Sequence, residues 1–173
     1  MEHIYAYDEQ NLYVNLWVDS VLGDFMLSQE TIKPGEIRIK VGRDLNRRLC
    51  LRAPGWVCKD RGIYIQINGK NISGNVDNGY IIIPGSCKAG DEILVHFPMD
   101  LRVVENDSHS GLVCLAFGQY LLAALSETQE YIRLPELSSI EREDESLNFY
   151  AGELRVIPLA QVDKEKYHVY FLR

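Results

Sequence analysis

Apolar and polar residues alternate along much of this chain, and this alternation predicts β-strands. Apolar residues occupy every second position over residues 12–18, 37–41, 63–67 and 93–97. A period of two places one set of side chains on one face of a sheet and the intervening set on the other. These four segments therefore predict strands with one face in a core.

Turn-forming residues separate these segments at short intervals. The turn sequences are Lys33-Pro34-Gly35, Pro54-Gly55, Asn68-Gly69, Asp77-Asn78-Gly79 and Ala89-Gly90-Asp91. Asn-Gly pairs tolerate the positive φ values of tight hairpins. Short strands with regular turns predict an all-β fold, an antiparallel β-sandwich of jelly-roll-like form.

The second half of the chain continues this pattern. Residues 112–117 and 121–125 predict two strands separated by Gly118, and residues 154–157 and 167–172 predict further strands. The charged stretch 138–147 predicts a loop or one short helical turn. Two organisations stay open: a single unit over residues 1–173, or a sandwich over 1–103 followed by a smaller one over 104–173.

Composition and charge exclude several classes of partner. The chain has 173 residues, 46% of them apolar, and a formal net charge of −7, which repels nucleic acid phosphates. The basic run from Arg43 to Arg48 is interrupted by Asp44 and Asn46, and we interpret it as a solvated turn. Neither a signal peptide nor an apolar run long enough to span a membrane is visible. Localisation stays open, with the cytoplasm slightly favoured.

The sequence holds no complete catalytic or metal-binding motif. Its cysteines are widely and irregularly spaced, which favours buried free thiols over a zinc site; they are Cys50, Cys58, Cys87 and Cys114. Its histidines are scattered, and they are His3, His96, His109 and His168. Residues 85–91 have the glycine spacing of a phosphate-binding loop, but Asp91 stands where that loop needs lysine. We predict no catalytic, cofactor-binding or metal-binding residue.

Trp17 and Trp56 could stack on sugars, but aromatic residues at strand spacing are more often packed in a core. We therefore assign Trp56 to packing beneath the Pro54-Gly55 turn.

Several short motifs, taken in order, resemble the C-terminal β-rich part of the β-L-arabinofuranosidase family, glycoside hydrolase family 127 and its relatives. The segments at residues 4–7 and 12–16 resemble the entry into the family's first sandwich strand. The remaining matching segments are Leu51-Arg52-Ala53-Pro54-Gly55-Trp56, Ile67-Asn68-Gly69-Lys70, Gly79-Tyr80, Ala89-Gly90-Asp91, Phe97-Pro98-Met99, Leu101-Arg102 and residues 112–122. This resemblance covers nearly the whole chain.

The resemblance implies that the active site lies outside this chain. In that family an (α/α)6 barrel holds a zinc-bound cysteine nucleophile and its glutamate partners, and none of the four cysteines here matches those positions. What carries over is a set of structural motif residues that form turns and fill space: Pro54, Gly55, Trp56, Asn68, Gly69, Gly90 and Asp91. The expected partners are a catalytic barrel absent from this chain and a second copy in a homodimer.

Three functions follow as hypotheses. The first is a non-catalytic accessory sandwich region of a glycoside hydrolase, which supports the barrel. The second is an independent carbohydrate-binding module, and the third is an independent enzyme. Titration with arabinose-containing glycans separates the second from the first, and a polar cleft would favour the third.

Overall fold

The computed structural model describes residues 4–57, 62–105 and 111–173, with the backbone alone at residue 75. It confirms the predicted all-β class, because its regular structure is strands apart from three short 3-10 turns in the described residues. Two compact units divide the chain, one ending at Pro98 and the other beginning at Met99. The predicted division into sandwich sub-modules 1–103 and 104–173 stays a prediction.

The first unit contains strands β1 to β11. Their bounds are Tyr5–Tyr7 (β1), Asn11–Val14 (β2), Ser20–Leu22 (β3), Leu27–Lys33 (β4), Glu36–Val41 (β5), Arg48–Arg52 (β6), Tyr64–Ile67 (β7), Lys70–Ile72 (β8), Asn75–Asp77 (β9), Tyr80–Ile82 (β10) and Glu92–His96 (β11). A 3-10 turn at Gly23–Phe25 precedes β4.

These strands form two sheets around one core. The first sheet has the order β1-β2-β6-β10-β9, and the second has the order β3-β4-β5-β11-β7-β8. The pairs are antiparallel except β2 with β6, which is parallel. Leu12 and Leu51 from the first sheet and Ile39 and Ile93 from the second belong to the same buried cluster. Two sheets that share a core in this way form a β-sandwich.

The alternation predicts most of these strands but fails after Val14. Residues 37–41 and 93–97 place their apolar sets in the core as expected. Strand β2, however, ends at Val14, and Leu16 and Val18 are exposed. The backbone amides of Asn15 and Leu16 both donate to the carbonyl of Ile4, at 2.7 and 3.4 Å. This shared acceptor ends the regular ladder with β1, so the alternation no longer decides which side chains are buried.

The second unit contains strands β12 to β20. Their bounds are Leu101–Glu105 (β12), Leu112–Phe117 (β13), Tyr120–Leu125 (β14), Ile132–Arg133 (β15), Glu141–Arg142 (β16), Phe149–Ala151 (β17), Leu154–Pro158 (β18), Tyr167–His168 (β19) and Tyr170–Leu172 (β20). Further 3-10 turns lie at Leu137–Ser139 and Leu159–Gln161.

Its strands follow the order β15-β20-β13-β14-β18-β17-β16, with β12 paired to β13 and β19 paired to β14. All pairs are antiparallel except β15 with β20. Strands β13 and β14 confirm the predicted pair at residues 112–125, joined at Gly118 with φ +54°. The core of this unit is drawn from five of its strands and includes Val113, Leu122, Phe149, Val156 and Phe171.

Candidate functional site

Two of the predicted motif turns meet at one edge of the first unit. The side-chain amide of Asn68 donates to Asp91 Oδ1 at 2.8 Å, and the backbone amide of Glu92 donates to Asn68 Oδ1 at 2.9 Å. The other carboxylate oxygen of Asp91 accepts the backbone amide of Lys88 at 2.7 Å. Asn68 therefore joins the β7–β8 hairpin to the turn that begins β11.

Asp44 adds a third segment to this cluster. It accepts the backbone amide of Ala89 at 2.9 Å and the ammonium of Lys88 at 3.0 Å. These two contacts, led by the Ala89 amide, lower the pKa of Asp44. The Lys88 amide and then the Asn68 amide lower the pKa of Asp91. Both carboxylates are therefore ionised at neutral pH, and each of their oxygens accepts a hydrogen bond at these turns, which suits a structural role.

The glycines of this cluster adopt the left-handed backbone that their turns require. Asn68 has φ +51° and Gly69 has φ +75°, the signature of a type I′ hairpin turn. Gly90 has φ +90°, and its amide donates to the carbonyl of Val41 at 2.7 Å. The Asn68-Gly69 hairpin and the Ala89-Gly90-Asp91 turn thus lie where the sequence placed turns.

The Pro54-Gly55-Trp56 motif forms a separate turn. The amide of Val57 donates to the carbonyl of Pro54 at 3.2 Å. The Trp56 ring is half-buried, with its centroid 6.1 Å from that of Phe97 in an edge-on arrangement. Among the described residues, no hydrogen bond, ion pair or ring contact joins this turn to the Asn68–Asp91 cluster.

The partner of Trp56 was not predicted from the sequence. Phe97 is buried and also contacts Trp17, whose centroid lies 5.0 Å away and whose indole nitrogen donates to the Arg52 carbonyl at 3.0 Å. The available signal was the alternation at 93–97, which marks Phe97 as inward. It could not indicate that two distant tryptophans pack on the same ring.

The described cysteines are isolated thiols. Cys50 and Cys87 are buried, Cys114 is half-buried, and Cys58 lies outside the described residues. Burial raises the pKa of all three described thiols. For Cys87 burial, followed by the charge of Asp91, raises the pKa to about 11. A thiol in that state is protonated at neutral pH and is a poor nucleophile or metal ligand.

No group of three or more His, Cys, Asp or Glu side chains within residues 4–57, 62–105 and 111–173 is arranged to hold a metal ion. His96 Nδ1 lies 3.8 Å from Glu36 on the surface of the first unit, and His168 Nε2 lies 3.0 Å from the carbonyl of Thr128 in the second. The remaining histidines, His3 and His109, lie outside the described residues.

Residues 9–99, more than half of the chain, match the family described as β-L-arabinofuranosidase, GH127 middle domain. The chain belongs to the GH127 family. The matched range contains all seven motif residues, from Pro54 to Asp91. No curated protein matches this GH127 middle domain. In the part of the chain that the structure describes, no helix is long and apolar enough to cross a membrane.

Solved structures share the fold of this GH127 chain. A GH127 β-arabinofuranosidase superposes with a TM-score of 0.65 at 21% identity, covering 98% of this chain and 36% of its own. A GH127 β-L-arabinofuranosidase from Geobacillus stearothermophilus gives 0.65 at 19%, covering 99% and 35%. A protein described as a glycoside hydrolase gives 0.67 at 18%, covering 98% and 37%. The chain thus spans about a third of the length of each.

Proposed function

We propose that this chain is a non-catalytic accessory region of a glycoside hydrolase that acts on β-L-arabinofuranosides, and that it follows and supports a catalytic (α/α)6 barrel. The observation that carries the proposal is the family match over residues 9–99, since it assigns this segment to the middle domain of such enzymes. This chain also spans only about a third of the length of each solved relative, which supports the proposal that a separate domain carries the active site.

The chemistry of the described residues supports a non-catalytic role. A retaining glycosidase needs a nucleophile and an acid/base group about 5 Å apart across the scissile bond. The carboxylates of Asp44 and Asp91 accept hydrogen bonds from backbone amides and from Lys88 and Asn68, which ties both to turns of the fold. The described thiols are kept protonated by burial, so they supply neither a thiolate nor a zinc ligand.

The test is hydrolysis by the purified chain. We expect no turnover of a nitrophenyl β-L-arabinofuranoside above background, with or without added zinc. The same protein should bind no stoichiometric zinc, as measured by inductively coupled plasma mass spectrometry after gel filtration. Turnover that disappears on mutation of a single residue of this chain would overturn the non-catalytic role.

The placement and the barrel are tested separately. We expect the reading frame upstream of residue 1 to encode a helical barrel that contains cysteines. Co-expression of that barrel with this chain should raise the yield of soluble barrel. An upstream frame that encodes no such barrel would contradict the proposed placement.

A second copy of the chain is the other proposed partner. Tyr170 and Leu172 are exposed on β20, on either side of the buried Phe171. Leu172 pairs with Leu112 and Tyr170 with Cys114, so apolar side chains continue onto β13. Exposed apolar patches favour association. We expect a dimer in sedimentation velocity at micromolar concentrations that Leu172→Lys weakens, whereas a strictly monomeric wild type would contradict it.

The alternative is an independent carbohydrate-binding module. It predicts that the chain alone binds neutral arabinose-containing glycans and that Trp56→Ala abolishes this binding without unfolding the protein. The accessory role predicts no such binding. Isothermal titration with an arabino-oligosaccharide separates the two.

A further inference from the structure

Two segments to which the sequence assigned no binding role line the same groove. The basic turn at residues 43–48 supplies Asn46, Arg47 and Arg48, and the start of the glycine-containing stretch at 85–91 supplies Ser86. The groove has a volume of about 550 Å³, within the range of roughly 300–1,000 Å³ found for small-molecule sites. Buried Ile83 contributes an apolar wall. It lies entirely within the first unit.

The groove carries the positive charges of Arg47 and Arg48. Within residues 4–57, 62–105 and 111–173, no carboxylate lies within ion-pair distance of either guanidinium. The nearest acidic residues in sequence are engaged elsewhere. Asp44 binds Lys88 and the Ala89 amide, and Asp8 accepts the backbone amides of Gln10 and Asn11.

Arg47 is held in place before any ligand arrives. Its Nε donates to the carbonyl oxygen of Asp8 at 2.6 Å. Its guanidinium lies 5.3 Å from the ring centroid of Tyr7 and 5.4 Å from that of Phe25. Its Nη1 also donates to Asn46 Oδ1 at 3.5 Å. Together these contacts fix the position of the guanidinium. Arg48 is exposed, so its side chain can move toward a ligand.

The chemistry of the groove selects an oxyanion on a polar molecule. A planar guanidinium forms paired hydrogen bonds with a carboxylate. Two arginines adjacent in sequence favour an anion here, although the net charge of the chain is −7. The Asn46 amide nitrogen and the Ser86 hydroxyl are neutral groups of the lining suited to hydroxyl groups of a ligand, while Asn46 Oδ1 accepts from Arg47. We propose that this groove binds an acidic saccharide, with the carboxylate of a uronic acid residue held by Arg47 and Arg48. The assignment of an oxyanion ligand rests on the groove residues alone, whereas its assignment as a saccharide rests on the proposed function.

The first experiment maps binding on the complete chain by ¹H–¹⁵N NMR titration with trigalacturonate. We expect shift changes at the amides of residues 45–48 and 85–86. The trimethyl ester of the same trisaccharide, which lacks the negative charges, and a neutral arabino-oligosaccharide should leave these amides unchanged. Equal binding of the ester, or no shift at these residues with trigalacturonate, would overturn the proposal.

A titration with inorganic phosphate distinguishes binding of a saccharide from binding of any small anion. Phosphate that shifts the same amides as strongly as trigalacturonate would overturn the saccharide assignment. The hydrolysis and zinc measurements on the chain are independent of this titration. A negative result in the saccharide titration can therefore be distinguished from a result that contradicts the accessory role.

The second experiment compares two arginines of the same turn. Arg48→Gln removes a groove cation, whereas Arg43→Gln removes an equal charge from a residue that stacks on Phe25 and does not line the groove. Loss of one charge-assisted, solvent-exposed hydrogen bond should weaken binding about tenfold. We expect that loss for Arg48→Gln and less than about threefold for Arg43→Gln, which reports only the general field. Equal losses would show that no specific site exists.

Discussion

The side-chain amide of Asn68 donates to the carboxylate of Asp91 at 2.8 Å, and this bond joins two turns that lie 23 residues apart. Asn68 also accepts the backbone amide of Glu92, and Asp91 also accepts that of Lys88. Both side chains thus hold the turn at residues 88–92, and the bond between them joins the Asn68 hairpin to it, so the two family motifs form one structural unit.

Replacing Asn68 tests the energetic weight of this unit. Asn68→Gly keeps the left-handed backbone but removes both side-chain contacts, so we expect the free energy of unfolding to fall by about 1 kcal/mol. The matched control is Asn78→Gly, because Asn78 has φ +48° in an equivalent hairpin and its side chain makes no hydrogen bond with the described part of the chain. That change should stay within about 0.5 kcal/mol. Urea denaturation measures both, and equal losses would contradict a role for the Asn68–Asp91 bond.

The motif glycines are predicted to differ in their tolerance of substitution. Gly69 and Gly90 have φ +75° and +90°, so a Cβ at either site should cost about 1 kcal/mol. Gly55 lies outside the positive-φ set, and a Cβ there meets nothing within 4 Å. Gly55→Ala should therefore change stability by less than about 0.5 kcal/mol. Thermal unfolding of the three variants checks this order, and a larger loss at Gly55 would contradict it.

Trp56 should contribute less stability than a fully buried tryptophan. A fully buried ring loses roughly 3–5 kcal/mol on truncation, but Trp56 is half-buried and meets Phe97 edge-on. We expect Trp56→Ala to cost about 2 kcal/mol and Trp56→Phe, which retains an aromatic contact, clearly less. Urea unfolding followed by circular dichroism measures both. Unchanged stability of the Trp56→Ala variant would contradict the assignment of Trp56 to packing.

Low pH should weaken the turn that Asp8 organises. Hydrogen bonds from the Asn11 side chain and then the Gln10 and Asn11 amides lower the pKa of Asp8 to about 2, against about 3.9 in an unfolded chain. The unfolded state therefore binds a proton first as pH falls. The stabilisation is complete above about pH 4 and is lost as pH falls toward 2. Urea midpoints from pH 5 to 2 should fall less for Asp8→Asn than for wild type, with Glu9→Gln as the neighbouring control.

How much of the fold and of the candidate site the sequence predicts depends on how far apart in the chain the interacting residues lie. Alternation and Asn-Gly pairs act locally, so strands such as β5 and β11 and the hairpin at Asn68 were predicted correctly. The pairing of Asn68 with Asp91 was not, because nothing local links residues in different turns. The exposure of Leu16 was missed for the same reason, since the ladder ends at a contact with Ile4.

The reactivity of Cys87 tests whether a buried thiol among the described residues can act as a thiolate. Burial and the Asp91 charge raise its pKa to about 11. At pH 8 the thiolate fraction is then smaller than that of an unfolded cysteine by about two orders of magnitude. Iodoacetamide should therefore label Cys87 at least about 100-fold more slowly in the native chain than in urea, as followed by peptide mass spectrometry. Half-buried Cys114 serves as the internal control and should react faster than Cys87. Rapid native labelling of Cys87 would mean an accessible thiolate next to Asp91, and the non-catalytic role would lose its chemical support there.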